Sequence, residues 1–256
     1  MTDTSRIAVA GGTGLLGRHV VAAVEAAGHE PVVVARSRGV DIITGDGLDA
    51  ALNGVDAVID VSNVTTLRRR TSVEFFSAAS RNLLAAGQRA DVRHHVAISI
   101  VGVDRVDSGY YAGKLAQEGV VLDGTRPASV LRATQFHEFA GQFLDRMRGP
   151  IAVIPKMLVQ PVAAREVAVA LVALAAAEPV GLAAELAGPE QHQLLDLARR
   201  VVRARGQRRL VLGVRPPGRA GRAAATSGLL PTGPGPRGTM TFAEWLSRNE
   251  PAPAVS

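Results

Sequence analysis

A glycine-rich turn, Gly11-Gly12-Thr13-Gly14-Leu15-Leu16-Gly17, constrains this chain more than any other feature. Before it stands a short apolar run, Arg6 to Ala10 (RIAVA), which reads as a strand. After it, Leu15 to Ala27 places apolar residues at helical spacing and stops at Gly28. Glycines at 11, 14 and 17 let a chain turn tightly between strand and helix, and let the helix pack closely on the strand. The same bend can bring backbone N–H groups up to a pyrophosphate, where the helix N-terminus favours negative charge. A glycine pattern alone is weak evidence. Its place after one strand and before an apolar helix is the context that makes it a dinucleotide site.

Strands and helices then alternate. Strands are expected at Glu30 to Ala35, Ile42-Ile43, Val55 to Val61, His95 to Val101 and Ala128 to Arg132. Helices are expected at Thr71 to Ala86, closed by Gly87, and at Ala112 to Leu122. Nearly continuous apolar strands between helices imply a parallel sheet buried on both faces, with right-handed crossovers. The expected fold is α/β, a doubly wound parallel sheet (Rossmann fold) over 1–132, with 133–256 forming a small C-terminal substrate-binding lobe. In the second half, helices are expected at Phe136 to Met147, Arg165 to Ala177, Leu194 to Arg205 and Phe242 to Leu246. Short strands are expected near Ile151 to Ile154, Ala184 to Ala187 and Leu210 to Val214, and Pro216 to Gly238 reads as a loop.

Strand ends decide which dinucleotide fits. A carboxylate after the second strand suits the ribose hydroxyls of NAD, whereas a cation suits the 2′-phosphate of NADP. The chain reads Ala35-Arg36-Ser37-Arg38 there, with no acid. Arg36 can make charge-assisted bonds to a phosphate, helped by Ser37 or Arg38. NADP(H) is therefore preferred, with NAD(H) as the alternative.

Tyr110-Tyr111-Ala112-Gly113-Lys114 sets a phenol and an ammonium four residues apart, on one face of a helix. A free phenol titrates near 10, too high for proton transfer at neutral pH, and a neighbouring ammonium lowers it. Tyr110 then serves as a general acid with Lys114 beside it. Lys114 can also bond the nicotinamide ribose. The choice of lysine is itself informative. Lys114 and Lys156 are the only lysines in 256 residues carrying 29 Lys and Arg, so a compact point charge is placed where a guanidinium fork is not used. Ser99, near the end of the fifth expected strand, can orient a carbonyl or simply satisfy local backbone.

These segments resemble the atypical short-chain dehydrogenase/reductases, in the NmrA-like and NAD(P)H-binding group near the sugar-nucleotide epimerases. The resemblance is carried by IAVAGGTGLLGRHVV, ITGDGLD (43–49), HVAISIVGVD (95–104), YYAGKLAQE (110–118), LRATQFHEF (131–139) and GPRGTMTFAEWL (235–246). It implies cofactor contacts from Gly11, Thr13, Gly14, Leu15, Leu16 and Gly17, from Arg36, from Asp46 and Gly47 at the adenine, and from Ser62. It implies catalysis by Tyr110 and Lys114 with Ser99 as helper, and a substrate side lined by Gln135, Phe136 and His137. The Asn-Asn-Ala-Gly motif of the short-chain enzymes is absent, and Ser62-Asn63 stands in its place. The expected activity is NADP(H)-dependent reduction of a carbonyl, quinone or enone of a small molecule. The alternatives are a dinucleotide-sensing regulator without turnover and a nucleotide-sugar epimerase-like enzyme, against which Arg36 and the short second half argue.

Composition removes several other classes. There is no cysteine, hence no disulfide or thiolate chemistry. No second histidine stands at a ligand spacing from His137, so no metal site is expected. The net charge of +6 comes almost wholly from arginine, and no aromatic residues interleave with the arginines of 199–237 for base stacking, so no nucleic-acid partner is expected. The longest strongly apolar helical stretch, Val167 to Ala177, falls short of the roughly 20 residues of a membrane span. No secretory pattern precedes the first strand. The expectation is a soluble cytoplasmic protein, monomeric or homodimeric.

Overall fold

The computed structural model describes residues 4–249. Two compact units divide the chain.

The first unit comprises 4–103, 108–132 and 164–184. Its sheet has the order β2-β1-β3-β4-β5-β8, from Glu30–Val34 (β2), Arg6–Ala10 (β1), Ala57–Asp60 (β3), His94–Ile100 (β4), Ala128–Ala133 (β5) and Gly181–Leu182 (β8). β1 runs parallel to both β2 and β3, β3 to β4, and β5 to β8. The first strand lies between the second and third, so the chain moves outward one way, returns to the middle and continues the other way. That is the doubly wound arrangement. β3 is buried at all four positions, and β4 at six of seven, which accounts for their lack of polar alternation. Helix Leu15–Ala26 (α1) packs on helix Ala164–Ala176 (α6), and Arg69–Arg89 (α3) packs on Gly109–Leu122 (α4). A short helix, Leu48–Leu52 (α2), lies against α3.

The second unit comprises 104–107, 133–163 and 185–249. It holds helices Phe139–Asp145 (α5), Leu194–Ala204 (α7), Gly218–Ala225 (α8) and Phe242–Asn249 (α9). Two small sheets accompany them. Ile151–Pro155 (β6) runs parallel to Leu210–Val214 (β10), and Leu158–Val159 (β7) antiparallel to His192–Gln193 (β9). Residues 164–184, assigned to the second half by sequence, are grouped with the first unit.

Several expected elements differ. Ile42-Ile43 forms no strand: the Ile43 N–H bonds the Asp41 side chain, and the Asn82 amide holds the carbonyls of both isoleucines. A side-chain clamp takes the place of a strand ladder. Gly87 does not close α3, which runs to Arg89 before the chain reverses at Asp91 with φ +56°. The helix at Phe136 starts later, at Phe139, because Phe136 bridges Val162 and the His137 N–H bonds the Val162 carbonyl. The stretch 184–187 makes only isolated bridges, Ala133 with Leu186 and Ala187 with Arg237. Pro216 to Gly238 is not a plain loop, since α8 and a 3-10 turn at Ser227–Leu229 lie within it. Among the described residues no helix is long and apolar enough to cross a membrane.

Candidate functional site

The glycine turn follows β1 directly. The Gly11 N–H bonds the Val34 carbonyl at 3.0 Å and the Gly14 N–H bonds the Gly11 carbonyl at 2.9 Å. Gly11 adopts φ +80°, and a Cβ there would stand 2.9 Å from Ser62 Cα. A Cβ on Gly17 would fall on the Gly11 carbonyl oxygen and lie 2.6 Å from Gly12 Cα. Glycine is thus required at both ends of the turn, by conformation at one and by helix-on-turn contact at the other. Gly14 caps α1 with no side chain. The first N–H groups of a helix have no intrahelical partner, so those of Leu15, Leu16 and Gly17 are offered to a ligand. Thr13 and Gly14 are exposed, while Leu16 and Gly17 are buried beneath them.

The residues around the turn suit a dinucleotide. Ser62 is buried and its hydroxyl has no hydrogen-bond partner, while its N–H bonds Asp60 Oδ1 at 2.9 Å. An orphaned buried hydroxyl is costly unless something else bonds it. Arg36, Ser37 and Arg38 form an exposed 3-10 turn directly after β2 and Ala35. Asp46 is exposed and accepts from the Thr44 hydroxyl at 2.8 Å. Gly47 caps α2.

The Tyr–Lys pair sits at the start of α4. Ser108 caps this helix by accepting from the Tyr111 N–H, so the helix begins three residues earlier than expected and Tyr110 lies in its first turn. α4 lies close on α3 because position 113 is glycine: a Cβ there would be 2.7 Å from Ser72 backbone atoms. The Ser72 hydroxyl donates to the Tyr110 carbonyl at 3.1 Å. The Tyr110 phenol donates to Asn63 Oδ1 at 2.7 Å, and its ring meets Phe76 edge-on at 5.8 Å. Lys114 lies one turn further on, buried at 3% exposure, with Nζ 4.6 Å from the centre of the Phe76 ring. Phe76 is therefore a shared wall for both side chains.

Lys114 Nζ donates to Gln117 Oε1 at 2.6 Å, and Gln117 Nε2 donates to Asp60 Oδ2 at 2.8 Å. Asp60 is the last residue of β3, paired with Ala10 on β1 and Ala97 on β4, and it is fully buried. Burial pushes the Lys114 ammonium down from 10.5 to about 8, while the charges of Asp60 and then Glu118 hold it up. Glu118 is itself bound by both arms of Arg132, at 2.9 and 2.7 Å.

This depressed lysine has a consequence for stability. Between about pH 8 and 10.5 the unfolded chain holds the Lys114 proton while the folded chain releases it. Lys114 therefore contributes stability that rises with pH across that window, by at most about 1.4 kcal/mol per pH unit. In denaturant melts the stability of wild type relative to Lys114→Met is expected to shift in favour of wild type as pH rises through the window, as the cost of the buried charge is relieved. A constant difference would contradict the burial assigned to this amine.

Ser99 lies on β4 two residues beyond Ala97, at the carboxyl end, buried and with its hydroxyl unpartnered. Within the first unit the chain thus gathers the turn, Ser62, Tyr110, Lys114 and Ser99 around the carboxyl ends of β1, β3 and β4. Gln135, Phe136 and His137 belong to the second unit. Gln135 is buried with both ends of its amide unpartnered. Phe136 is half-buried. His137 is fully buried, its Nε2 3.0 Å from the Met240 carbonyl and its ring against Phe242 and Trp245. Its ring is engaged in tethering the start of α9.

Sequence reasoning did not single out Asp60, Gln117 or Asn63 as site residues. Two signals were available: an acid inside the otherwise apolar run Val58-Ile59-Asp60-Val61, and a polar residue three positions after Lys114 on the same helix face.

Residues 7–103 match the NAD dependent epimerase/dehydratase family. No curated protein matches the chain. Several solved structures share its fold. A UDP-N-acetylglucosamine 4-epimerase from Bacillus cereus is 18% identical with a TM-score of 0.68, over 96% of this chain and 100% of that one. A short-chain dehydrogenase/reductase superfamily protein from Agrobacterium tumefaciens, with bound NAD, is 19% identical with a TM-score of 0.67, over 95% of each chain. A dTDP-4-dehydrorhamnose reductase from Bacillus anthracis, in complex with NADP, is 16% identical with a TM-score of 0.66, over 82% of this chain and 85% of that one.

Proposed function

We propose that this chain is an NADP(H)-dependent oxidoreductase of the atypical short-chain dehydrogenase/reductase type, NmrA-like in its details. It works in the cytoplasm, as a monomer or homodimer, on a carbonyl, quinone or enone of a small molecule. The observation that carries the reading is Lys114, an amine buried at 3% exposure one helical turn after Tyr110 and walled by the same phenylalanine. Burying an ammonium is costly and is retained where its charge has a task.

Gly11, Gly14 and the first N–H groups of α1 hold the pyrophosphate, with Ser62 beside them and Asp46 and Gly47 towards the adenine. Arg36 binds the 2′-phosphate. When bound, the dinucleotide would supply a hydride, with its two electrons, for reduction of the substrate carbon. Tyr110 gives its phenolic proton to the oxygen, so the carbonyl becomes an alcohol, and solvent restores the phenol. The Lys114 charge lowers the cost of the transient phenolate. Ser99 donates to the carbonyl oxygen and orients it. Gln135, Phe136 and His137 of the second unit are assigned to substrate contact, and the unpartnered amide of Gln135 has donors and an acceptor to offer.

Arg36→Asp is expected to weaken NADPH binding about tenfold to a hundredfold, the range of a lost charge-assisted bond, and NADH far less. Equal losses for both in fluorescence titrations would remove the preference for NADP(H).

A nucleotide-sugar epimerase-like enzyme is the second reading. It is favoured by the family match over 7–103 and by the full-length overlap with the Bacillus cereus epimerase, which removes chain length as an argument against it. The two separate when the protein is mixed with NADPH and a panel of aldehydes, ketones, quinones and enones. Acceptor-dependent loss of NADPH absorbance is the expected result. Interconversion of nucleotide sugars without net NADPH loss would replace this reading with the second, and binding with neither reaction would replace it with a dinucleotide sensor.

A further inference from the structure

Lys114 is held by a chain of contacts that ends on a carboxylate. Nζ donates to Gln117, Gln117 donates to Asp60, and Asp60 also accepts the Ser62 N–H at the end of β3. Lys114, Gln117 and Asp60 are exposed by 3%, 1% and 0%, so solvent does not dissipate the carboxylate's field. The amide between the two charges fixes direction as well as distance: its oxygen takes the ammonium and its nitrogen takes the carboxylate, and a reversed amide would satisfy neither.

The other charged groups around this chain are accounted for. Glu118, on the same helix, is neutralised by the two-pronged Arg132 of β5. His95 of β4 feels Asp60 and His94, and its burial pushes its imidazole down towards the neutral form. α3 presents Phe76 rather than a charge. Tyr110 and Tyr111 are the remaining titratable groups on α4; the Tyr110 phenol bonds Asn63, and the Tyr111 ring lies against that of Tyr110. Asp60 is thus the carboxylate not otherwise paired with a cation that faces the lysine.

We propose that Asp60 and Gln117 form a positioning relay that aims the Lys114 ammonium and keeps it charged, so that the reactivity of Tyr110 is set from the buried end of β3. This inference rests on the oxidoreductase reading for its consequence in turnover, but the relay itself is a property of the uncomplexed protein. Neither residue touches the reacting atoms. Their effect passes through Lys114, whose proton would otherwise be lost at lower pH because burial opposes its charge.

The composition of the chain allows a direct test. Only two lysines exist, so protein labelled with 13C-lysine gives two Cε resonances, and Lys156→Arg identifies the one from Lys114. Asp60→Asn and Gln117→Met are each expected to lower the Lys114 titration midpoint from about 8, by about one unit or more for Asp60→Asn. In turnover, the high-pH limb of the kcat profile is expected to move down by the same interval, with KM for NADPH little changed. Near-UV circular dichroism checks that each variant is folded. If Asp60→Asn does not fold, Gln117→Met carries the test, because the side chain is of similar size and lacks both hydrogen bonds. A folded variant whose Lys114 midpoint stays at the wild-type value overturns the relay. A midpoint that moves as expected in a protein that oxidises NADPH with no acceptor upholds the relay and overturns the oxidoreductase reading, so the two failures are distinct.

Discussion

Tyr110→Phe is expected to lower turnover with the best carbonyl or quinone acceptor about a hundredfold to ten-thousandfold, the usual contribution of a positioned general acid. NADPH binding and folding are expected to survive. The phenol bonds Asn63 at the surface, whereas the ring packs on Phe76, and phenylalanine keeps the ring. The lost surface bond costs about 0.5–1.5 kcal/mol of stability at most. Steady-state kinetics beside a thermal melt and an NADPH titration separate these effects. Full turnover in the folded variant would remove Tyr110 from the chemistry.

Gly17→Ala is the second large effect, and it acts on the turn instead of the acid. The added methyl would fall on the Gly11 carbonyl and press on Gly12 Cα, which are backbone atoms and cannot rotate away. α1 must shift off β1, at a cost of about 1–3 kcal/mol as in other overpacked sites. The N–H groups of Leu15, Leu16 and Gly17 then no longer converge where Gly11 and Gly14 place the phosphates, so NADPH affinity is expected to fall at least about tenfold, the equivalent of about 1.4 kcal/mol. Gly119→Ala is the matched control. It lies within α4 with only the far end of Asp123 near its added methyl, at 3.9 Å. There the gain in helix propensity, about 1 kcal/mol, is expected to stabilise the protein. Equal behaviour of the two variants would mean that the close approach at Gly17 is not what holds the turn.

Much of the first unit was legible because its rules are local. The glycine turn, the apolar strands and the i,i+4 pair each state their structure within a few residues, and parallel crossovers leave little freedom in the order of strands. The failures came where tertiary contacts overrode local signals. Gly87 read as a stop, yet α3 carries it as an interior glycine at a tolerable cost in propensity. Ile42-Ile43 read as a strand, yet Asn82, forty residues on, holds their carbonyls. In Pro216 to Gly238 the prolines and glycines mark a loop, yet Ala220, Ala223, Ala224 and Ala225 have high helix propensity, and it is realised in α8. The relay was hidden for a different reason. Asp60 and Gln117 are far apart in sequence, and only the pairing of β3 with its neighbours and the approach of α4 bring them together.

Equilibrium titration of the purified wild-type protein with NADPH, and separately with NADH, followed by nicotinamide fluorescence, tests the account at its root. Saturable binding of one dinucleotide per chain is predicted, tighter for NADPH and weakened in Gly17→Ala. A wild-type protein that binds neither dinucleotide would contradict it.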